Sequence, residues 1–477
     1  MIYDAVIIGA GVIGAMTARE LSKYDIKLLI LEKENDVSCG ASKANSGIVH
    51  GGFDPVPNTL KAEMNSRGVE LLYKAAEELK VPCINNGSLV CAFDKEGEKE
   101  LETLLDRALL NNIPNVEIVS GDKAREIEPA LSGNITKVLI SHTAGIISPY
   151  ELTIAATAGA MKNGAELKRN FEVASINKED GIFFITDTKG NTVKAKRVIN
   201  CAGVHSGKVA ELSGDDSIKI IARKGEYMLL DKTEGSLVSH TVFQIPTKAG
   251  KGVLVSPTVH GNLLVGPTAE AVENPEFTET TVSGLEMIKN TAKLSCEKID
   301  YRTVITSFTG VRASTASGDF IIEPSKKVEG LFNIAAIDSP GLTSCVAIAQ
   351  YAVEQLKNDG MQLVEKEEWC AVLDDPHFFS KMNDEEKNEF IKNNELYGKM
   401  VCRCEQVTEG EIRAALRREP KPYDIDGVKR RTRSSMGRCQ GGFCMPTVMR
   451  IISEETGIPI EEITKKGKDS YQLRGVL

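Results

Sequence analysis

Long apolar runs are absent. No stretch of the 477 residues approaches the roughly 18 that a membrane-crossing helix needs. The early run AVIIGAGVIGAMTA comes nearest to a secretion signal, but it has no basic flank, follows Asp4 and carries regularly placed glycines. Internal repeats and low-complexity tracts are also lacking. Nor do the eleven cysteines follow the spacing of a disulfide framework. Seven of them (Cys39, Cys83, Cys91, Cys201, Cys296, Cys345, Cys370) stand singly among apolar or small residues, as inert buried thiols in a reducing compartment do. The expectation is a cytoplasmic protein that reaches a membrane only through a partner.

What is present suits a soluble globular chain of two or three domains, since 477 residues exceed one ordinary core. Charge is uneven. The net charge is −9, yet residues 399–477 hold 16 Lys and Arg against 11 Asp and Glu. A basic end on an acidic body marks a separate module with its own partner or anionic group.

The stretch YDAVIIGAGVIGAMTARELSKYDIKLLILEKE reads as strand, tight turn, helix and strand. Gly9, Gly11 and Gly14 match G-x-G-x-x-G, which places a pyrophosphate at a helix N-terminus. Glu32 ends the second strand, 18 residues after Gly14, where a carboxylate accepts ribose hydroxyls. Together they predict a dinucleotide site. The next stretch, GASKANSGIVHGGFDPVPNTLKA, is a small-residue loop leading to a helix near Asn58, and Ser42, Ser46 and backbone amides suit an extended ligand.

That loop, with its N-S-G-x-x-H-G-G core, resembles the FAD-dependent family containing glycerol-3-phosphate dehydrogenase, L-2-hydroxyglutarate dehydrogenase and the amino-acid oxidases. AGIISPYEL, RVINCAG, GVRAST and IDSPGLTSCVAIAQ extend the resemblance over roughly residues 1–360. It implies an α/β fold. A Rossmann-like FAD-binding domain (1–75, 143–215 and 310–360) holds an inserted, mainly antiparallel α+β substrate domain (76–142 and 216–309). The segments GEYMLLD, GVLVSP and NLLVGPTAE read as strands of that insertion. KEGEKELETLLDRALLNNI reads as a helix with Leu101, Leu104, Leu105 and Leu109 on one face and its charges solvated. Residues 361–398 read as a helical linker.

In such an enzyme the loop residues Ser42, Asn45, Ser46 and Gly47 run along FAD, and Gly203 closes the nucleotide domain. Gly341 opens a helix whose amides at Leu342 and Thr343 would stabilise negative charge on the reduced flavin. His50 is the candidate base, since its ordinary pKa suits proton abstraction near neutrality. His205 and His260 are weaker candidates. Arg312, in the G-x-R position of the family, would clamp a carboxylate or phosphate. Lys61 is a second anion contact and Lys251 a weaker third.

Cys402, Cys404, Cys439 and Cys444 form C-x-C and C-x4-C pairs. Four thiolates suit either zinc or a [2Fe–2S] cluster, and C-x-C is atypical for zinc. CRCEQVTEGEI with RRTRSSMGRCQGGFC resembles the bacterioferritin-associated-ferredoxin-like [2Fe–2S] module, also found at the end of the large subunit of anaerobic glycerol-3-phosphate dehydrogenase. There R-R-x-x-R-x-G-M-G-x-C-Q-G is closely similar; here Ser434 and Ser435 precede MGRCQG. The resemblance implies a small helical iron–sulfur domain over 399–477. Lys429, Arg430, Arg431, Arg433 and Arg438 would offset the cluster's charge or dock a partner, and the stretch has no interleaved aromatics to suit nucleic acid.

The expected activity is oxidation of a small anionic secondary alcohol, with electrons passed through the cluster to an electron-accepting protein subunit, and so a hetero-oligomer. Glycerol 3-phosphate comes first. Asp54 stands where the glycerol-phosphate enzymes usually carry arginine, and the end of the loop is closer to L-2-hydroxyglutarate dehydrogenase, so a 2-hydroxy acid is the alternative. A non-catalytic electron-transfer subunit is the reading from another class.

Overall fold

A computed structural model describes residues 1–245, 252–376 and 378–473. The apolar strands Ala5–Ile8 and Leu28–Leu31 are buried along their whole length, as strands covered on both faces must be. They lie within a six-stranded sheet ordered Glu166–Lys168, Leu28–Leu31, Ala5–Ile8, Val198–Asn200, Leu331–Ala335, Ile321–Pro324. All pairings are parallel except the last. Helix Val12–Leu21 packs against helices Pro149–Lys162 and Gly341–Asn358 on one side of it. On the other, Phe183 and Ile185 of a four-stranded sheet meet Val6 and Leu29.

The second large element is a nine-stranded sheet, antiparallel except where Thr241–Gln244 runs parallel to Ser88–Ala92. The three segments expected as strands form Ile221–Leu230, Leu254–Pro257 and Leu263–Gly266. Ile221–Leu230 pairs along its length with Val304–Ser314, placing Arg223 opposite Arg312 and Tyr227 opposite Phe308. The expected helix is Lys95–Leu110, but its apolar face is Leu101, Leu104 and Ala108. Leu109 has rotated off that face by the last turn and is 66% exposed. Glu98, expected in solvent, is instead buried between Lys95 and Lys137.

Within 361–398, expected as a helical linker, the described residues form one α-helix, Asp384–Asn393, started by a capping box of Asn383 and Glu386. The described stretch before it is mostly irregular and held by side chains. Trp369 donates to Ser22 Oγ at 3.1 Å, and the Cys370 amide donates to Asn163 Oδ1 at 2.8 Å.

The C-terminal module has its own core around Ile412, Val428, Val448 and Ile452. Helices Glu409–Arg417, Ile425–Thr432 and Met445–Thr456 enclose it, beside a short ribbon of Met400–Cys402 and Val407–Thr408. The arginines expected to offset the cluster mostly grip the rest of the chain. Arg430 and Arg431 reach buried Asp36 at 2.6 and 2.8 Å, and Arg438 reaches Asp231 at 2.9 Å. Arg433 donates to Tyr150 at 3.0 Å and pairs with Glu405 at 2.9 Å. Among the described residues no helix is long and apolar enough to cross a membrane.

Candidate functional site

The glycine turn is built by close packing. Gly9 has φ +108, and a Cβ there would strike the Cys201 carbonyl. A Cβ on Gly14 would strike the Gly9 carbonyl, so helix Val12–Leu21 sits directly on the turn. Gly11 differs: its φ of −75 suits any residue, and a Cβ would meet only Ser42 Oγ, at 3.2 Å. Neither packing nor backbone conformation requires glycine at this position. Ser42 Oγ accepts from the Val12 amide at 2.8 Å, which ties the small-residue loop to the start of that helix. Burial raises the Glu32 carboxyl above the usual range, although the Glu34 and Ala10 amides donate to it at 3.0 and 2.7 Å. A carboxylate held by two amides at the end of the second strand, beside the turn, fits ribose hydroxyls.

From this turn a cavity of about 2170 Å³ runs to the face of the nine-stranded sheet. Gly9, Gly11, Glu32, Ser42, Asn45, Ser46, Gly47, Gly203, Gly341 and Leu342 line it, as do His50, Lys61 and Arg312. Gly14 and Thr343 stand behind the wall. Thr343 is fully buried; its hydroxyl accepts from the His50 amide at 2.9 Å and donates to the Ile48 carbonyl at 3.3 Å. The helix Gly341–Asn358 thus fixes the loop carrying His50. Asn45 braces the same loop, accepting from Gly47 N at 2.8 Å and donating to Ala41 O at 3.0 Å.

The expected chemical groups meet different fates. His50 Nε2 lies 3.2 Å from Ser339 Oγ, and its ring lies 5.9 Å from that of Phe243. Arg312 donates to the Thr268 carbonyl at 2.9 Å and lines the cavity. Lys61 is not a free cation, because Asp338 Oδ1 is 2.5 Å from its Nζ. His205 joins Lys33 and Glu276 near the nucleotide end. His260 bonds Glu151 at 2.8 Å, and burial lowers its pKa despite that carboxylate. Lys251 lies outside the described residues. Sequence reasoning missed Tyr227, which reaches Ser46 at 3.2 Å and stacks on Phe308 at 4.9 Å, and Tyr150, whose hydroxyl donates to Met436 Sδ at 3.6 Å. Contacts between residues this far apart in the chain leave no local pattern.

The four cysteines form two close pairs. Cys404 Sγ and Cys439 Sγ are 4.0 Å apart. Cys402 and Cys444 are buried together in the module's core, and the contact of the two thiols lowers the pKa of Cys444 and raises that of Cys402. Two pairs, each able to hold one iron, fit a two-iron cluster better than a single tetrahedral ion. Among the described residues no group of three or more His, Cys, Asp or Glu converges on one metal. Ser435 stands at the glycine of the family pattern and adopts φ +72, a left-handed conformation that disfavours serine. Its hydroxyl lies 3.2 Å from Cys444 Sγ. Gly437 lies so close to Cys404 that any side chain would collide with it.

Two family models match the chain, one over each of these parts. FAD dependent oxidoreductase matches residues 4–355, and BFD-like [2Fe-2S] binding domain matches residues 400–454. The chain belongs to the FAD-dependent oxidoreductase family; it is an enzyme whose cofactors are FAD and a [2Fe–2S] cluster. Among particular proteins, a glycerol 3-phosphate dehydrogenase of Caloramator mitchellensis is 43% identical over 473 residues, covering 99% of this chain and 98% of that one. The solved structure of dithionite-reduced L-alpha-glycerophosphate oxidase from Mycoplasma pneumoniae with FAD bound matches at TM-score 0.75 and 30% identity, over 78% of this chain and 98% of that one. Mitochondrial L-2-hydroxyglutarate dehydrogenase of Caenorhabditis elegans is 29% identical over 307 residues, 62% of this chain and 70% of its own.

Proposed function

We propose that this enzyme oxidises sn-glycerol 3-phosphate to dihydroxyacetone phosphate and passes the electrons to an acceptor protein. The observation that carries the reading is the 43% identity to a glycerol 3-phosphate dehydrogenase, which runs through both cofactor domains. Bound FAD supplies a hydride acceptor and the cluster a one-electron outlet. The chain's own residues do the rest. Arg312, fixed by the Thr268 carbonyl, binds the phosphate as a bidentate donor. His50, steadied by Ser339 and Phe243, takes the proton from the substrate hydroxyl as hydride leaves the adjacent carbon. Lys61 holds Asp338, whose carbonyl accepts from the Gly341 amide at 2.6 Å, and so sets the start of the helix at the flavin end. The cluster cysteines call for a reducing, cytoplasmic setting.

One observation favours a different substrate: Asp54 lines the cavity and brings a carboxylate where an arginine would suit phosphate. The test is anaerobic bleaching of the bound flavin by glycerol 3-phosphate and, separately, by L-2-hydroxyglutarate. Fast bleaching by the phosphate supports the proposal. Bleaching by the hydroxy acid alone transfers the assignment to 2-hydroxy acids, and no bleaching by either removes both as the substrate of this enzyme.

A further inference from the structure

Three exposed side chains adjoin the cluster cysteines in sequence. Arg403 stands between Cys402 and Cys404, Arg438 precedes Cys439, and Phe443 precedes Cys444. Phe443 is 89% exposed, while the module's aliphatic side chains close on a core of their own. Cys404 is itself exposed, whereas Cys402 and Cys444 are buried, so the cluster site meets solvent along one edge. Close contact of Cys404 with Cys439 and Gly437 puts the 403–404 turn and the 437–444 loop on one surface.

A phenylalanine left in water adds nothing to folding, and aromatic and arginine side chains are enriched where proteins meet. The charge at this edge is positive. Arg403 makes no ion pair among the described residues. Glu405, close by in sequence, is buried and already committed to Arg433 and Lys232, so it leaves Arg403 uncompensated. Arg438 is 67% exposed even with Asp231 beside it.

We infer that this face docks an acidic one-electron carrier protein, with Phe443 as the apolar contact and Arg403 and Arg438 steering the approach. The inference rests on the proposed outflow of electrons through the cluster and adds where they leave and to what kind of protein. One electron crosses per encounter: the carrier is reduced, this protein is oxidised, and no bond is made or broken.

The test uses the full-length protein carrying both cofactors, reduced photochemically without substrate and mixed anaerobically with native cytochrome c, which is basic, or with its succinylated, acidic form. The acidic form should be reduced at least about tenfold faster at low salt, with the advantage shrinking as salt rises. Phe443→Ala and Arg403→Glu should each slow that reaction by about tenfold, and Phe443→Leu should stay near wild type. Reduction of a small neutral quinone should be the same in every variant. Visible and EPR spectra show whether the cluster is intact; if Phe443→Ala loses it, Arg403→Glu decides. Equal rates for the two cytochromes, variants that match wild type, or losses shared by the quinone would overturn the docking face. Failure of glycerol 3-phosphate to bleach the flavin would sink the substrate reading alone, because light supplies the electrons here.

Discussion

Gly11 and Gly14 belong to one motif, yet they are glycine for different reasons, and their variants should separate those reasons. A Cβ on Gly14 collides with backbone, which has nowhere to go. A Cβ on Gly11 meets only a serine hydroxyl at 3.2 Å, in a conformation open to any residue. Gly11→Ala should therefore fold with a loss of no more than about 1 kcal/mol but retain little FAD, because its methyl occupies pyrophosphate space. Gly14→Ala should lower the melting temperature of the apoprotein itself. Flavin stoichiometry and apoprotein melting curves, measured side by side, distinguish the two; full flavin content in Gly11→Ala would remove Gly11 from the cofactor site. Arg312 poses a similar question in the substrate half. Arg312→Ala should weaken substrate by a few kcal/mol while leaving flavin content intact. An unchanged kcat/KM would leave Arg312 only its bond to Thr268 and a structural part.

The helix Gly341–Asn358 holds the site together by its side chains as much as by its dipole. Thr343 is its hinge to the loop at 48–50, through one bond to the His50 amide and one to the Ile48 carbonyl. Thr343→Val keeps the volume and removes both bonds, leaving a buried amide and carbonyl short of partners. The expected cost is about 1–3 kcal/mol in thermal unfolding, with slower flavin bleaching and unchanged flavin stoichiometry. Bleaching at the wild-type rate would show that the loop is held elsewhere. This hinge was not legible in the sequence, whereas the helix was: GLTSCVAIAQ announces a buried helix by its apolar, small-residue run. The same division runs through the chain. Gly9, Gly11, Gly14 and Glu32 could be placed because a tight turn and its following strand write a local pattern. The pairs Lys61–Asp338 and Ser46–Tyr227 join residues more than 150 positions apart, and nothing near either partner marks the other. The helix Lys95–Leu110 shows a subtler limit, since Leu109 fits the spacing but ends on the wrong side of the last turn.

At the scale of the molecule, the basic end was visible in composition, but its cations were expected to serve the cluster or a partner. Arg430, Arg431, Arg433 and Arg438 instead serve docking onto the acidic body, and Asp36 is where that docking concentrates. Burial alone would raise its carboxyl, but the Arg431 and Arg430 guanidiniums hold it well below the usual carboxylate range. A group depressed in the folded state stabilises it fully above its unfolded value, about 3.9 for aspartate, and loses that contribution as pH falls towards the native value. Module docking through Asp36 should therefore be insensitive to pH from about 5 upwards and weaken only in stronger acid. Asp36→Asn keeps the shape and removes the charge, leaving two buried guanidiniums uncompensated, a loss of about 3–5 kcal/mol. The four paired cysteines lie within the 400–454 module, so a cluster should still assemble. The expected variant has normal cluster content by EPR, a connecting segment at 361–398 cut faster by trypsin at neutral pH, and slower passage of electrons from flavin to cluster after photoreduction of the flavin. If the segment is cut no faster and electrons reach the cluster at the wild-type rate, the Asp36 pair does not hold the two cofactor domains together, and the contacts of Tyr150 with Arg433 and Met436 become the joint to break next.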